Sequence, residues 1–254
     1  MVIKYHRKNY NPVENKSSSI DSISTEMILP GTKVLDIGCA TGYIAEYLQK
    51  YKDCSVVGVE NNPEQAQLAQ KICSVVFVGS IESQDIQFQI DQYVKKEGLF
   101  NCVYMSEVIE HLIDPWKILR VLPRWIQKDG CLVITTCNVA HWRMRIELMK
   151  GKWAYQEYGI LDKTHLKFFT YETFRQILLD NDYQIIEEDY KMSDFNITIN
   201  LFFYSRSVTV SGLVRRLLGD RGLKWYKSKY RNLLAYQMAF KCIPQNKANI
   251  KGTQ

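Results

Sequence analysis

The sequence predicts an α/β protein: a mostly parallel sheet with helices on both of its faces. Two observations predict it. From Lys33 onward, short runs rich in Val and Ile alternate with segments whose apolar residues recur every three or four positions, the pattern of a parallel sheet covered on both sides. A turn of small residues, "DIGCATG", stands where the first such run gives way to the first helical segment.

In chain order, "KVLDIG" reads as a buried strand and "YIAEYLQKY" as an amphipathic helix. "CSVVGVE" is a second strand. "NPEQAQLAQKI" is a helix in which Asn62 and Pro63 suit the cap and first-turn positions. "SVVFVG" and "FNCVYMSEV" are the third and fourth strands, and "DPWKILRVLPRWI" is a helix. "GCLVITTCN" is the fifth strand, and "TYETFRQILLDNDY" is a helix with Thr170 as its cap. "YQIIEEDY" and "AYQMAFKCI" complete seven strands.

At 254 residues the chain suits one elaborated domain with a full core. Four segments are expected: an N-terminal piece (1–29), a ligand-binding core (30–190), a basic insertion (191–234), and a final strand with its tail (235–254). Only the first twenty or so residues and the last ten read as loosely ordered. Seven cysteines lie scattered with no C-x-x-C pair, which points to reduced thiols in the cytoplasm rather than a disulfide frame or zinc site. The N-terminus has no apolar core of a secretory signal, and "INLFFY" is far too short to span a bilayer. Residues 1–190 carry 21 Lys+Arg against 25 Asp+Glu, whereas residues 191–254 carry 12 against 2. The basicity therefore belongs to the C-terminal region.

Open parallel sheets bind ligands at the carboxyl ends of their strands, where "DIGCATG" lies. Gly38, Ala40 and Gly42 let a backbone approach a ligand closely. Asp36 makes the loop a poor phosphate site and suits an ammonium or sulfonium group. Glu60, eighteen residues past Gly42, ends the second strand and is placed to accept hydrogen bonds from two ribose hydroxyls.

"VLDIGCATGYIAEYL", "VVGVENNPEQAQLA", "FNCVYMSEVIEHLIDP" and "GCLVITT" together resemble the class I S-adenosylmethionine-dependent methyltransferases, over about residues 30–190. The resemblance implies a Rossmann-like sheet of seven strands with the last one antiparallel. It implies that Gly38, Cys39, Ala40 and Gly42 line the methionine half of S-adenosylmethionine, with Asp36 at the same loop. Glu60 would hold the ribose and Asn61 would flank the adenine. The family's middle glycine is Ala40 here. The acid often found after strand three is replaced by Ser80, followed by Ile81 as an adenine neighbour. Ser106, at the end of strand four, is a further expected cofactor contact.

A helix starting near Ser106 would put Glu107, Glu110 and His111 on one face, and His165 lies in a later loop at the same sheet edge. Two carboxylates with imidazoles suit Mg²⁺ or Mn²⁺. The set is similar to the metal site of ubiquinone-pathway O-methyltransferases and small-RNA ribose 2′-O-methyltransferases. His111 or His165 acting as a metal-free general base fits as well, and so does a structural role. "GILDKTHLKFFTYETF" resembles methyltransferases of bacterial glycan and secondary-metabolite pathways. The aromatic stretch "AHWRMRIELMKGKWAYQEYG" is either a substrate wall or a lid.

About forty residues separate the last two strands, far more than a hairpin connection. They carry Arg215, Arg216 and Arg221 beside Val214, Leu217 and Leu218, which suit one apolar helical face. This insertion reads as a solvated cap, a contact for an anionic acceptor, or a peripheral membrane contact. No nucleic-acid module accompanies it. The expected function is methylation of a small-molecule acceptor, most simply a hydroxyl of a sugar or secondary metabolite in natural-product biosynthesis. The alternatives are N-methylation of an amine or peptide natural product, and a cofactor-binding scaffold without turnover.

Overall fold

The computed structural model describes residues 19–193, 196–201 and 204–245. Most of the two expected loose ends lie outside them. The seven strands of the main sheet are β1 (Lys33–Ile37), β2 (Ser55–Glu60), β3 (Val75–Val78), β4 (Phe100–Ser106), β5 (Ile126–Cys137), β6 (Tyr183–Met192) and β9 (Ala235–Pro244). Their order is β3-β2-β1-β4-β5-β9-β6. The pairs among β1 to β5 are parallel, and β9 runs antiparallel to both of its neighbours. The predicted architecture, including the reversed last strand, is the observed one.

The central strands are covered on both faces, while the edge strands β3 and β6 are partly exposed. In β1, Leu35 and Ile37 pack into one core with Val57, Val103, Trp125 and Phe174. Val34 joins the opposite core with Val56, Tyr104, Ile44 and Leu48. That two-sided burial explains why the strands read as continuous apolar runs. The cap assignments hold at both helices they were made for. Asn62 accepts from the N–H groups of Glu64 and Gln65 at the start of α3 (Pro63–Ala69). Thr170 caps α7 (Tyr171–Asp180) with a capping box completed by Thr173. α3 stops at Ala69, earlier than its sequence suggests, where the N–H groups of Lys71 and Ile72 bond instead to the i−3 carbonyls of Leu68 and Ala69.

Helix α2 (Tyr43–Lys52) follows β1, and α5 (Pro115–Val121) follows β4. Several elements had no clear periodicity. They are α1 (Ile20–Glu26), α4 (Gln84–Glu97), α6 (Trp142–Met149), the hairpin β7 (Asn196–Leu201) and β8 (Tyr204–Thr209), and α9 (Arg231–Leu234). α1 lies within the expected N-terminal piece yet packs on β5, β6 and β9. The basic segment forms α8 (Val210–Lys229), broken at Gly219, where φ is +66°. Its expected apolar face does not pack: Leu217 is 71% exposed and Leu218 60%, and Tyr226 is its buried residue. The strand order reverses between β1 and β4, the topological switch point at which such sheets hold ligands.

Candidate functional site

A cavity of about 930 Å³ opens over the carboxyl ends of β1, β2 and β4, within the size range of small-molecule sites. At one end it is lined by Gly38, Ala40, Glu60, Asn61, Ser80 and Ile81. The other end carries Ser106, Glu107, His111, His165, Tyr236 and Lys191.

The glycine turn is built by protein neighbours. Gly38 has φ +79°, and a Cβ there would strike the Val108 side chain. Gly42 has φ +83°, and a Cβ there would sit 3.2 Å from the Ala69 Cα of α3. Ala40 also holds a left-handed φ of +49°, a conformation that costs a non-glycine residue roughly 1–2 kcal/mol. The Glu60 carboxylate holds it there. Oε2 accepts from the Ala40 N–H at 2.8 Å and Oε1 from the Asn62 N–H at 2.7 Å. A carboxylate offers about four acceptor positions, so Glu60 retains capacity for two further donors at the cavity wall.

Three of the residues proposed for the cofactor sit elsewhere. Gly42 serves the α2–α3 contact, as above. The Cys39 side chain is buried against Gly58 and Cys73, because the φ reversals of the turn direct it into the core. Asp36 lies below the cavity wall, 2% exposed, with Oδ2 lacking a hydrogen-bond partner among the described residues. Burial first, then Glu60 and Asp21, raise its pKa to about 8.

The helix expected from Ser106 does not form. β4 ends at Ser106, Glu107 adopts φ +54°, and Ile109–His111 make a single 3₁₀ turn. Glu107 is drawn out of helical geometry by its partners. Its N–H donates to Thr135 Oγ1 (3.1 Å), and its carboxylate accepts from Thr135 Oγ1 (3.1 Å), Cys137 Sγ (3.2 Å) and Gln237 Nε2 (2.8 Å). Burial raises the Glu107 pKa, and those three hydrogen bonds oppose the shift.

Glu110 points inward. It is 1% exposed and does not line the cavity, and neither carboxyl oxygen has a hydrogen-bond partner among the described residues. Burial, then the neighbouring Glu107, hold its pKa well above the ordinary carboxylate range. His165 Nε2 lies 4.0 Å from Glu110 Oε1. The loop bearing His165 is tied down by the N–H groups of Leu166 and Lys167, which donate to the Glu110 carbonyl. The His111 and His165 rings meet edge to face at 4.7 Å. Their Nδ1 atoms lie 3.1 Å from the Thr164 carbonyl and 3.0 Å from the Ile160 carbonyl. A carbonyl only accepts, so the proton of each neutral ring is on Nδ1 and the lone pair on Nε2.

The four residues proposed as metal ligands thus separate into two overlapping triads that share Glu110. One is Glu110, His111 and His165; the other is Glu107, Glu110 and Cys137, each with its ligand atoms within 4.8 Å of one another. Cys137, Tyr158, Tyr236, Gln237 and Lys191 line the cavity without having been singled out in the sequence. Tyr236 and Gln237 stand in "AYQMAF", and their polarity at the start of an apolar strand was the available signal. Arg215, Arg216 and Arg221 do not reach the cavity; Arg215 pairs with Asp220 at 2.8 Å on the surface.

A family model described as "Methyltransferase domain" matches residues 10–188. A ubiquinone biosynthesis O-methyltransferase of Xanthomonas campestris pv. campestris is 27% identical over 133 residues, half of each chain. The chain therefore spans about half the length of the curated relatives it matches. Among solved structures, a SAM-dependent methyltransferase from Archaeoglobus fulgidus superposes with a TM-score of 0.54 at 18% identity, covering 88% of this chain and 92% of that one. The plantazolicin methyltransferase BamL, solved with a triazolic desmethylPZN analog and SAH, gives 0.54 at 18% identity over 92% and 88%.

Proposed function

The chain belongs to the methyltransferase-domain family and has the class I fold, and from that premise we propose that it transfers a methyl group from S-adenosylmethionine to a hydroxyl of a small-molecule acceptor. The observation that carries this reading is one cavity with two chemically distinct ends. Glu60, with acceptor capacity left after holding Ala40 and Asn62, suits a ribose. The His111–His165 pair at the far end suits the removal of a proton from an acceptor hydroxyl. Asn61, Ser80 and Ile81 flank the adenine side, and Ser106 joins the other end beside Glu107. The ubiquinone biosynthesis relative is named for transfer to oxygen, which favours that atom over nitrogen.

When bound, S-adenosylmethionine supplies an electrophilic methyl on a sulfonium. Transfer of that methyl to the acceptor oxygen would leave the electron pair of the S–CH₃ bond on sulfur. The hydroxyl proton passes to Nε2 of His111 or His165. The chain's contribution is orientation of the acceptor, worth roughly 7–11 kcal/mol in favourable cases, together with that base. A second reading rests on the orphaned Glu110 oxygens, since Glu110, His111 and His165 form a donor set suited to Mg²⁺ or Mn²⁺. Such an ion would lower the pKa of the acceptor hydroxyl.

The domain limits proposed for the family core are residues 30–190, with α1 as a packed addition. Among the described residues no helix is long and apolar enough to cross a membrane. The site of action we propose is the cytoplasm. The first test is calorimetry with S-adenosylmethionine and its demethylated product; no binding of either refutes the proposal. The second is turnover, read as a 14-dalton gain in a panel of candidate acceptors. Loss of turnover in His111→Ala or His165→Ala, with indifference to chelator, identifies the imidazole as base. Loss in chelator with recovery in Mg²⁺ or Mn²⁺ identifies the metal.

A further inference from the structure

Three cavity residues missing from the sequence reading occupy one row of the sheet. Gln237 on β9 stands directly opposite Cys137 on β5 and directly opposite Lys191 on β6. Directly opposed residues on neighbouring strands share a face, so thiol, amide and amine form a ledge along the wall at the acceptor end. Glu107 closes its inner end, since its carboxylate accepts from both Cys137 and Gln237. Lys191 closes the outer end, two strands from Cys137 and roughly 10 Å away at the backbone.

Lys191 differs in charge from everything around it. Among the described residues lining the cavity it is the sole lysine or arginine, against the acids Asp21, Glu60, Glu82, Glu107 and Asp162. Glu107 is held by three donors, and Asp162 accepts from the Thr164 N–H and hydroxyl. No ion pair among the described residues includes Lys191, and its ammonium rests 5.6 Å from the centre of the Tyr236 ring. A half-buried ammonium set against an aromatic ring has given up water without gaining an anion among the described residues. Tyr236 is itself fixed, edge to face on His141 at 5.4 Å. The cations Arg143, Lys150 and Lys152 line a separate cavity of about 560 Å³ that shares just Tyr236 with this one.

We infer that the acceptor carries an anionic group at the end opposite its methylated hydroxyl, and that Lys191 is the residue that selects it. This rests on the methyl-transfer reading and adds the substrate class: a compact hydroxylated molecule, one ring in length, bearing a carboxylate or an equivalent anion. The anion seats on Lys191, the body lies along Gln237 and Cys137, and the hydroxyl faces Glu107 and the histidines. The negative charge is received by Lys191, the first residue of the basic segment, which belongs to β6, and not by Arg215, Arg216 or Arg221.

The test is calorimetric titration with two probes matched in shape, 4-hydroxybenzoate and 4-hydroxybenzamide, with and without S-adenosylhomocysteine. The wild type is expected to bind the acid about tenfold more tightly than the amide, the scale of one charge-assisted contact. Lys191→Met should bring the two within about twofold, Lys191→Arg should keep most of the preference, and Arg215→Gln, outside the cavity, should leave it unchanged. Equal binding by the wild type, failure to bind the acid, or an undiminished preference in Lys191→Met overturns the inference. Binding of S-adenosylhomocysteine is read separately in the same experiment. Its failure removes the methyl-transfer reading, whereas loss of the acid preference alone removes only the role of Lys191.

Discussion

Replacing Asp36 by Asn in the ligand-free protein is expected to raise its stability, and by more at pH 7 than at pH 5. The carboxyl is buried under the glycine turn with one oxygen unpartnered, and its pKa is raised from 3.8 to about 8. Between those values the folded chain keeps a proton that the unfolded chain has released. Stability from this group is therefore full below the unfolded value and is lost as pH climbs towards the folded one. A two-state titration puts its cost at roughly 1.5–2 kcal/mol at pH 5, about 4 kcal/mol at pH 7 and between 5 and 6 kcal/mol at pH 9. Asparagine does not titrate, and all other groups are common to both proteins. The stability difference should thus widen by about 2–3 kcal/mol from pH 5 to pH 7 and then flatten. Urea unfolding at three pH values reads it directly. A cationic ligand in the cavity would favour the ionised form, so S-adenosylmethionine should bind wild type more tightly as pH rises from 6 to 8, with proton release, and should lose that trend in Asp36→Asn. Parallel stability curves for the two proteins would refute the argument, because they would mean that Asp36 is already ionised in the fold.

Other substitutions probe the remaining joints of the site. Glu60→Ala should weaken binding of S-adenosylmethionine by roughly 1.5–3 kcal/mol, the range for hydrogen bonds to a charged group, and should lower the melting temperature because Ala40 and Asn62 lose their acceptor; unchanged affinity by calorimetry would remove Glu60 from the ribose site. Glu110→Gln replaces a buried carboxyl whose pKa burial and then Glu107 push upward with an uncharged amide of the same shape, so its ligand-free stability at pH 7 should not fall by more than about 1 kcal/mol. Any rise in melting temperature with Mn²⁺ in the wild type should vanish in that variant, and a rise that persists would place the ion elsewhere. Gly38→Ala should cost roughly 2 kcal/mol or more through its positive φ and the clash with Val108. Val108→Ala should relieve the steric part, leaving a double mutant less unstable than the sum by about 1 kcal/mol; additive denaturation energies would show that the turn and the Val108 segment are not in contact.

The sheet and its ligand edge were legible because they depend on local pattern. Alternating Val/Ile runs and helical spacing are properties of neighbouring residues, and Asn62 and Thr170 announce helix starts through bonds that span three positions. Glu60 was legible from its place at a strand end. The elements that were missed lack such a pattern. In α4, Phe88 points to solvent at 59% exposure while Ile86 and Ile90 are buried, so its stripe is narrow and its composition polar. The false helix at Ser106 came from an i, i+3, i+4 spacing that is real, but the Glu107 carboxylate finds three donors on β5 and β9. Contacts across thirty to one hundred and thirty residues leave no mark in a window of four.

The same distinction separates what the small residues of "DIGCATG" do from what they seemed to be for. Gly38 is small because Val108 stands over it, and Gly42 because α3 does. The strained Ala40 is held open by the carboxylate of Glu60, which also lines the cavity. The turn is thus shaped on one side by the segment that leads into Glu110 and His111, and on the other by Glu60. A ligand that draws on Glu60 draws on the bond that holds Ala40. Through Gly38 and Val108 the turn is packed against the segment that enters the 3₁₀ turn Ile109–His111. The turn is in this way in contact with Glu60 and, through Val108, with the segment bearing the histidines, two side chains which sequence spacing would have assigned to separate motifs.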